Sequence, residues 1–162
     1  MLNGSSSSFG TGNDLANDIT GNAGDNNIDG SGGGDLLRGG AGADRLIGGT
    51  GRDVIYGGTD SDSDIFLFRS TAESTPGAAR DLLHDFTNGI DKIDLHLIDA
   101  DTTLVGNQAF AFSASGPAAH SVWVVDVGAH LIVRADVNGD KIGELEFQLI
   151  DVNLLLPGDL VL

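Results

Sequence analysis

The sequence predicts an all-β protein, a parallel β-roll of nonapeptide repeats running into a small antiparallel β-sandwich. Three observations predict it. Glycine occupies every ninth position from Gly12 through Gly21, Gly30, Gly39 and Gly48 to Gly57. A side-chain oxygen donor and a lone aliphatic residue recur in fixed phase with those glycines. Beyond residue 64 the pattern changes to short apolar runs separated by turn residues, and no helical periodicity appears. The expected organisation is a tail over 1–11, the roll over 12–64 and the sandwich over 65–162.

Composition narrows the function before any motif is read. The 162 residues include 24 acids and eight bases, a formal charge of -16, and 21 of the acids are Asp. Such a surface repels nucleic acid. With no cysteine, thiolate metal sites, disulfides and cysteine nucleophiles are excluded, whereas hard cations with oxygen ligands remain open. The N-terminus has neither the basic region nor the apolar stretch of a cleavable secretory signal, and no apolar run is long enough for a membrane span. Seventeen of the 25 glycines lie in residues 1–58, a composition that gives disorder unless a strict period organises it.

The period is strict. Its sixth position reads Asn17, Asn26, Asp35, Asp44, Asp53 and Asp62, and its eighth reads Ile19, Ile28, Leu37, Leu46 and Ile55. Units 39–47 and 48–56 fit G-G-x-G-x-D-x-U-x without a mismatch, and the fit decays toward the N-terminus. Glycines at positions one, two and four permit left-handed turns, and the x-U-x segment makes a short strand with U inward. Two units per coil pair Asn17 with Asp35, Asn26 with Asp44, Asp35 with Asp53, and Asp44 with Asp62. Stacked carboxylates repel, and one aliphatic per unit cannot offset that. A cation is required, and calcium suits a mixture of carboxylates and carbonyls over residues 30–62. The repeat fails after Gly58, where Asp60 replaces a glycine and Asp64 stands where the aliphatic belongs. A two-residue insertion accounts for this, leaving Asp62 or Asp64 to close the last site.

In the second half, Ile65–Phe68, Leu82–Phe86, Ala109–Phe112, Val122–Val127, Leu131–Ala135 and Leu145–Ile150 read as strands, with turns at Asn88-Gly89, Gly128-Ala129 and Asn138-Gly139. Phe66, Phe68, Phe86, Phe110, Phe112, Trp123 and Phe147 form the expected core. The segment Asp136–Glu144 spaces oxygen donors like an EF-hand loop, but Lys141 replaces its glycine and Phe147 its bidentate Glu, which favours a hairpin.

The nonapeptides together with DIFLF at 64–68, the run STAESTPGAARDLLHDFTNGIDKIDLHLID ending at Asp99, GNQAF at 106–110, DVNGD at 136–140 and the ending DLVL resemble the C-terminal domain of serralysin metalloproteases, an RTX-type module. Related modules occur in mannuronan C-5 epimerases. The resemblance implies that each calcium is held by the first and third carbonyls and the Asp of one loop, with the second and fourth carbonyls and the Asp of the next. Transferred here, one site uses Gly30, Gly32 and Asp35 with Gly49, Gly51 and Asp53. Another uses Gly21, Ala23 and Asn26 with Gly40, Gly42 and Asp44, and a third Gly39, Ala41 and Asp44 with Gly58, Asp60 and Asp62 or Asp64, while Asn17 stands at the frayed start.

No His is followed by the Glu of an H-E-x-x-H zinc motif, and His84, His96, His120 and His130 share no ligand spacing. Ser121, His120 and Asp126 lack the surroundings of a nucleophile elbow. The expectation is a non-catalytic, monomeric calcium-binding module, any catalytic domain lying outside this chain. The resemblance implies secretion through a type I transporter that reads an uncleaved signal ending in Asp159–Leu162, with folding on calcium outside the cell. The alternative it implies is binding of an anionic polysaccharide such as alginate, against which the charge balance argues.

Overall fold

The computed structural model describes residue 1 and residues 4–162; Leu2 and Asn3, part of the expected tail, lie outside the described residues. Two sheets face each other. Sheet A contains β1 (Ser8–Asn13), β3 (Asn26–Ser31), β5 (Arg45–Ile47), β7 (Ile65–Leu67), β9 (Lys92–Asp94) and β14 (Leu160–Val161), adjacent in that order. Sheet B runs β2 (Asp18–Thr20), β4 (Leu36–Arg38), β6 (Val54–Tyr56), β8 (Asp81–His84), β13 (Leu145–Leu149), β12 (Leu131–Ala135), β11 (Ser121–Asp126) and β10 (Ala111–Ser113). Three single-turn 3-10 segments, Thr71–Glu73, Gly77–Ala79 and Pro157–Asp159, are the helical elements among the described residues.

The roll follows from the period. Each nonapeptide leaves few residues outside its turn, so β4, β5 and β6 are three residues long each, and alternate strands fall in opposite sheets. Ile28 pairs with Leu46 and Leu46 with Phe66 in sheet A, while Ile19 pairs with Leu37 and Leu37 with Ile55 in sheet B. These aliphatics point inward, and Ile28, Leu37 and Leu46 are completely buried. One such side chain contributes roughly 1.5–3 kcal/mol of burial, too little per nine residues to hold the coil without help at the turns.

Where the repeat ends, the coil does not. Phe66 pairs with Ile93 and Ile93 with Leu160, and Ile55 pairs with Leu83, so both sheets pass residue 64 unbroken. A single core cluster runs from Ile28 to Leu160 and takes in Phe68, Phe86, Phe110 and Phe147. Phe68 stacks on Phe147 with centroids 4.7 Å apart. The antiparallel portion consists of β11, β12 and β13, carried on the end of sheet B; β10 and β8 flank it in parallel pairing. Sequence alone suggested two faced antiparallel sheets here because hairpin turns at Gly128 and Gly139 are conspicuous, whereas long-range parallel pairing leaves no turn signal.

The roll also starts earlier than its glycine period. Ser8 pairs with Asn26 and Gly10 with Ile28, the eighteen-residue spacing of the later coils. Gly4 carries the left-handed φ of +95° expected at a second position. Residues 4–11 therefore make a degenerate unit with Ser8 in the polar position and Gly10 in the apolar one.

Candidate metal centre

The polar sixth positions stack in two columns along the edges of the roll. One column reads Asn17, Asp35, Asp53 and Asp81. In it the Oδ1 of each Asp accepts the backbone N–H of the rung before, at 2.7 Å from Asn17, 2.7 Å from Asp35 and 2.8 Å from Asp53. The other reads Asn26, Asp44, Asp64 and Asp91, where the equivalent bonds from Asn26, Asp44 and Asp64 are 2.7, 2.9 and 3.0 Å. One carboxylate oxygen per rung thus ties adjacent coils.

On four of the rungs the second oxygen has no partner. Oδ2 of Asp35, Asp44, Asp53 and Asp81 is buried without a hydrogen bond. Their residues are at most 2% exposed, and no Lys, Arg or His forms an ion pair with any of the four among the described residues. A buried, unpaired carboxylate costs several kcal/mol, so each must take a proton or a cation. Burial pushes the carboxyls of Asp53, Asp64 and Asp81 up to about 6, 7 and 8, with neighbouring carboxylates adding to the rise. Asp35, Asp44 and Asp91 are raised for the same leading reason. Free carboxylate oxygens beside stacked loop carbonyls, with no nitrogen or sulfur ligand, fit a hard cation such as calcium.

The loops are built so that these oxygens come close. A β-carbon at Gly39 would fall on Asp44 Oδ2 and on the carbonyl oxygen of Gly57. Position one therefore needs glycine for close approach, not for the left-handed turn the sequence reading gave it. Left-handed backbone is confined to positions two and four. Gly51, at φ +129°, lies so near the Gly33 carbonyl that a β-carbon would overlap it. Gly30 likewise packs on Asp35 and on Gly48, and Gly21 on Gly39. Gly49 lies against Ser31, Gly40 against Asn22, Gly42 against Gly24, Gly58 against Gly40, and Gly32 beside Thr50. Ala41 donates its N–H to the Asn22 carbonyl at 3.1 Å, and Ala23 is exposed. Each loop is thus apposed to the one eighteen residues away.

After Gly58 the rung falls to Asp64, which is 2% exposed. Asp60 and Asp62 are exposed, with Asp60 Oδ1 accepting the Asp62 N–H at 2.8 Å. The insertion displaces the rung so that it again immediately precedes its strand, β7. The sequence reading missed Asp81 and Asp91. Both carry the signal Asp-x-apolar, in Asp81-Leu-Leu83 and Asp91-Lys-Ile93, that also marks Asp35, Asp44 and Asp53. Their loops lack the glycines, and that hid them.

The other candidates are internally satisfied. Asp136, Asp140 and Glu144 converge, but Asp136 accepts the N–H groups of Asn138, Gly139 and Lys141, which with other backbone bonds hold its carboxyl below the usual range against the opposing effect of burial. Glu144 accepts from Val137 and Asn138. The loop is the hairpin that the sequence favoured. Ser121 Oγ donates to the Ala118 carbonyl, His120 Nδ1 lies 2.8 Å from the Ala100 carbonyl, and Asp126 accepts the Gly128 N–H at the far end of β11. The three do not meet. His84 stacks on Tyr56 at 4.4 Å, His96 pairs with Asp94, and His130 accepts the Asp151 N–H.

Glycine-turned loops stacked over two columns of inward carboxylates define a parallel β-roll repeat module of the RTX kind. The chain belongs to the peptidase M10 serralysin C-terminal family, whose model matches residues 14–150. Among solved structures it is similar to the R3 subunit of AlgE6, a mannuronan C5-epimerase of Azotobacter vinelandii, at 29% identity and a TM-score of 0.69, covering 94% of this chain and 82% of that one. The R2 subunit of the same enzyme matches at 26% identity and a TM-score of 0.56, covering 88% and 90%. No curated protein sequence matches the chain.

Proposed function

We propose that this chain is a non-catalytic calcium-binding module of a secreted bacterial exoprotein, which folds when calcium enters the stacked loops outside the cell. The observation that carries the reading is the row of buried, unpartnered Oδ2 atoms on Asp35, Asp44, Asp53 and Asp81. Asp35 and Asp53, with the carbonyls of Gly30, Gly32, Gly49 and Gly51, would hold one ion. The column partners Asp44 and Asp64 would hold another on the opposite edge. A bound cation supplies the positive charge that lets these carboxylates stay ionised while buried. Extracellular modules bind calcium with a Kd of roughly 10⁻⁴–10⁻³ M, so the roll would be unfilled in a cytoplasm and filled outside. Calcium titration followed by far-UV circular dichroism tests this, since a signal already complete in chelator would refute it.

Membership of the serralysin C-terminal family supports the second part of the proposal, that a type I transporter reads the unfolded tail ending in Asp159–Leu162. In the folded chain this tail is β14, and Asp159 accepts the N–H groups of Gly89 and Leu156 at 2.9 Å. Transport would precede that pairing. Export with and without the tail from a host bearing a matched transporter is the test.

The epimerase R-modules favour a second reading, binding of an anionic polysaccharide. The outer face of sheet A offers Phe9, Arg45 and Arg69 along one groove, although Arg69 already pairs with Asp29 and Glu73. An NMR titration with alginate oligomers in calcium separates the two readings, because only the second moves resonances of Phe9 and Arg45.

A further inference from the structure

The inter-coil position between loops 21–26 and 39–44 is built differently from its neighbours. In the adjacent pair of loops, Asp35 and Asp53 bring two carboxylates together, and each keeps a buried Oδ2 without a partner, as do Asp44 with its Oδ2 and Asn26 with its Oδ1 here; what differs is the amide nitrogen. In this pair the earlier rung is Asn26. Its side-chain amide nitrogen donates to Asp44 Oδ1 at 2.9 Å and also to the carbonyl oxygen of Gly24. Its backbone N–H donates to the same Asp44 Oδ1 at 2.7 Å. Asn26 is 3% exposed, so these donors work in a dry environment where a hydrogen bond to a charged acceptor is strong.

The orientation of the amide is fixed by its partners. With oxygen and nitrogen exchanged, a carbonyl oxygen would face the Gly24 carbonyl and the Asp44 carboxylate, two acceptors with no proton between them. The nitrogen must therefore point into the gap between the coils. It meets there a loop carbonyl and a carboxylate oxygen, the two kinds of ligand that a calcium would bridge.

We infer that the Asn26 amide stands in for a cation at this position, so that the loops 21–26 and 39–44 are joined by hydrogen bonds and take no calcium of their own. The inference rests on the calcium reading of the remaining loops, and it revises the transferred ligand set of Gly21, Ala23, Asn26, Gly40, Gly42 and Asp44. One atom makes the difference. Replacing the Asn26 nitrogen by oxygen would turn the bridging donor into a third acceptor beside Asp44 and Gly24 and so create a requirement for positive charge.

The test is calcium stoichiometry by equilibrium dialysis against radioactive calcium, on the whole chain and on Asn26→Asp. The expected result is one more calcium per chain in the variant. Equal numbers of bound calcium in the two proteins would overturn the inference, whereas no binding by either would overturn the calcium reading beneath it. If Asn26→Asp does not fold, the wild-type chain decides by NMR in saturating calcium. Side-chain amide protons of Asn26 that exchange much more slowly than those of exposed Asn153 support the hydrogen-bonded bridge. Equally fast exchange means that Asn26 has turned its oxygen to an ion, and the inference fails.

Discussion

Asp81 Oδ1 accepts the backbone N–H of Asp53 at 2.8 Å, although 28 residues of chain separate them and Asp81 lies beyond the last glycine repeat. The ladder of carboxylates therefore outlasts the sequence motif that announces it, and the second half of the chain completes the column begun by Asn17. Asp81 also donates its own N–H to Ser74 Oγ, at 2.8 Å, and Ser74 Oγ donates to the Glu146 carbonyl on β13. Through these bonds the last rung is fastened to the antiparallel end of sheet B.

Removing a rung should act in opposite directions with and without calcium. Asp53→Ala deletes a proposed ligand and the acceptor of the Asp35 N–H, a charged hydrogen bond contributing roughly 1.5–3 kcal/mol. The calcium midpoint of folding should rise by about tenfold or more, since 1.4 kcal/mol is a factor of ten. In chelator the variant should be no less ordered than wild type, because an unpaired buried charge has gone. Asn17→Ala, in a partly exposed rung, should move the midpoint far less. Equal midpoints by circular dichroism would show that the ranking is wrong.

The pH dependence of the calcium-free chain follows from the raised carboxyls. Asp53, Asp64 and Asp81 reach about 6, 7 and 8 in the fold, against roughly 3.9 in an unfolded chain. The fold therefore binds protons that the unfolded chain releases, so the stabilisation is full below about pH 4 and is lost as pH rises through 6 to 8. In chelator, β-structure by circular dichroism should be greater at pH 5 than at pH 8, and Asp81→Asn should flatten the upper part of that change. Calcium should bind more tightly across the same rise, as protons leave its ligands. A calcium-free spectrum independent of pH would contradict this.

How much of this was legible in the sequence depends on which residue carried the signal. Gly12 through Gly57 gave the period, and the period gave the strand pairs and the inward aliphatics from Ile19 to Ile55. Ser8 and Gly10 were invisible, because an edge coil with one sheet neighbour per strand tolerates residues that an inner coil would not. Asp81 and Asp91 were hidden by loops that turn without glycine. The parallel pairing of β8 with β13 and of β14 with β9 links residues 66 and 67 apart, a distance at which local patterns carry no information. Asn26 was read as a ligand, since composition does not say which way an amide points.

Gly51→Ala tests the apposition of coils. Its φ of +129° is a conformation that residues with a β-carbon rarely adopt, and overlap with the Gly33 carbonyl adds to that strain. Gly128→Ala is the control, since φ is +97° there but nothing lies near the added carbon. Gly51→Ala should raise the calcium midpoint clearly and Gly128→Ala should leave it unchanged while lowering thermal stability slightly. Equal effects on the midpoint would mean that coil spacing does not govern binding.

Deleting Asp159–Leu162 should have two separable effects. The folded chain loses β14 and the Asp159 bonds to Gly89 and Leu156, so its Tm should fall by several degrees, with the calcium response of the roll retained. Export through a matched type I transporter should stop. Secretion of the truncated chain at the normal level would remove the signal assignment, and loss of the calcium response would make the tail a folding element first.

The claim that calcium orders the roll is met most directly by hydrogen exchange of the rung amides themselves at pH 7.5. The N–H groups of Asn17, Asp35, Asp44 and Asp53 all end on carboxylate oxygens of the next coil. Strong protection of these amides in calcium, with free exchange in chelator and recovery on adding calcium back, is the expected result. Protection of the same amides in chelator, undiminished from that in calcium, would contradict the account.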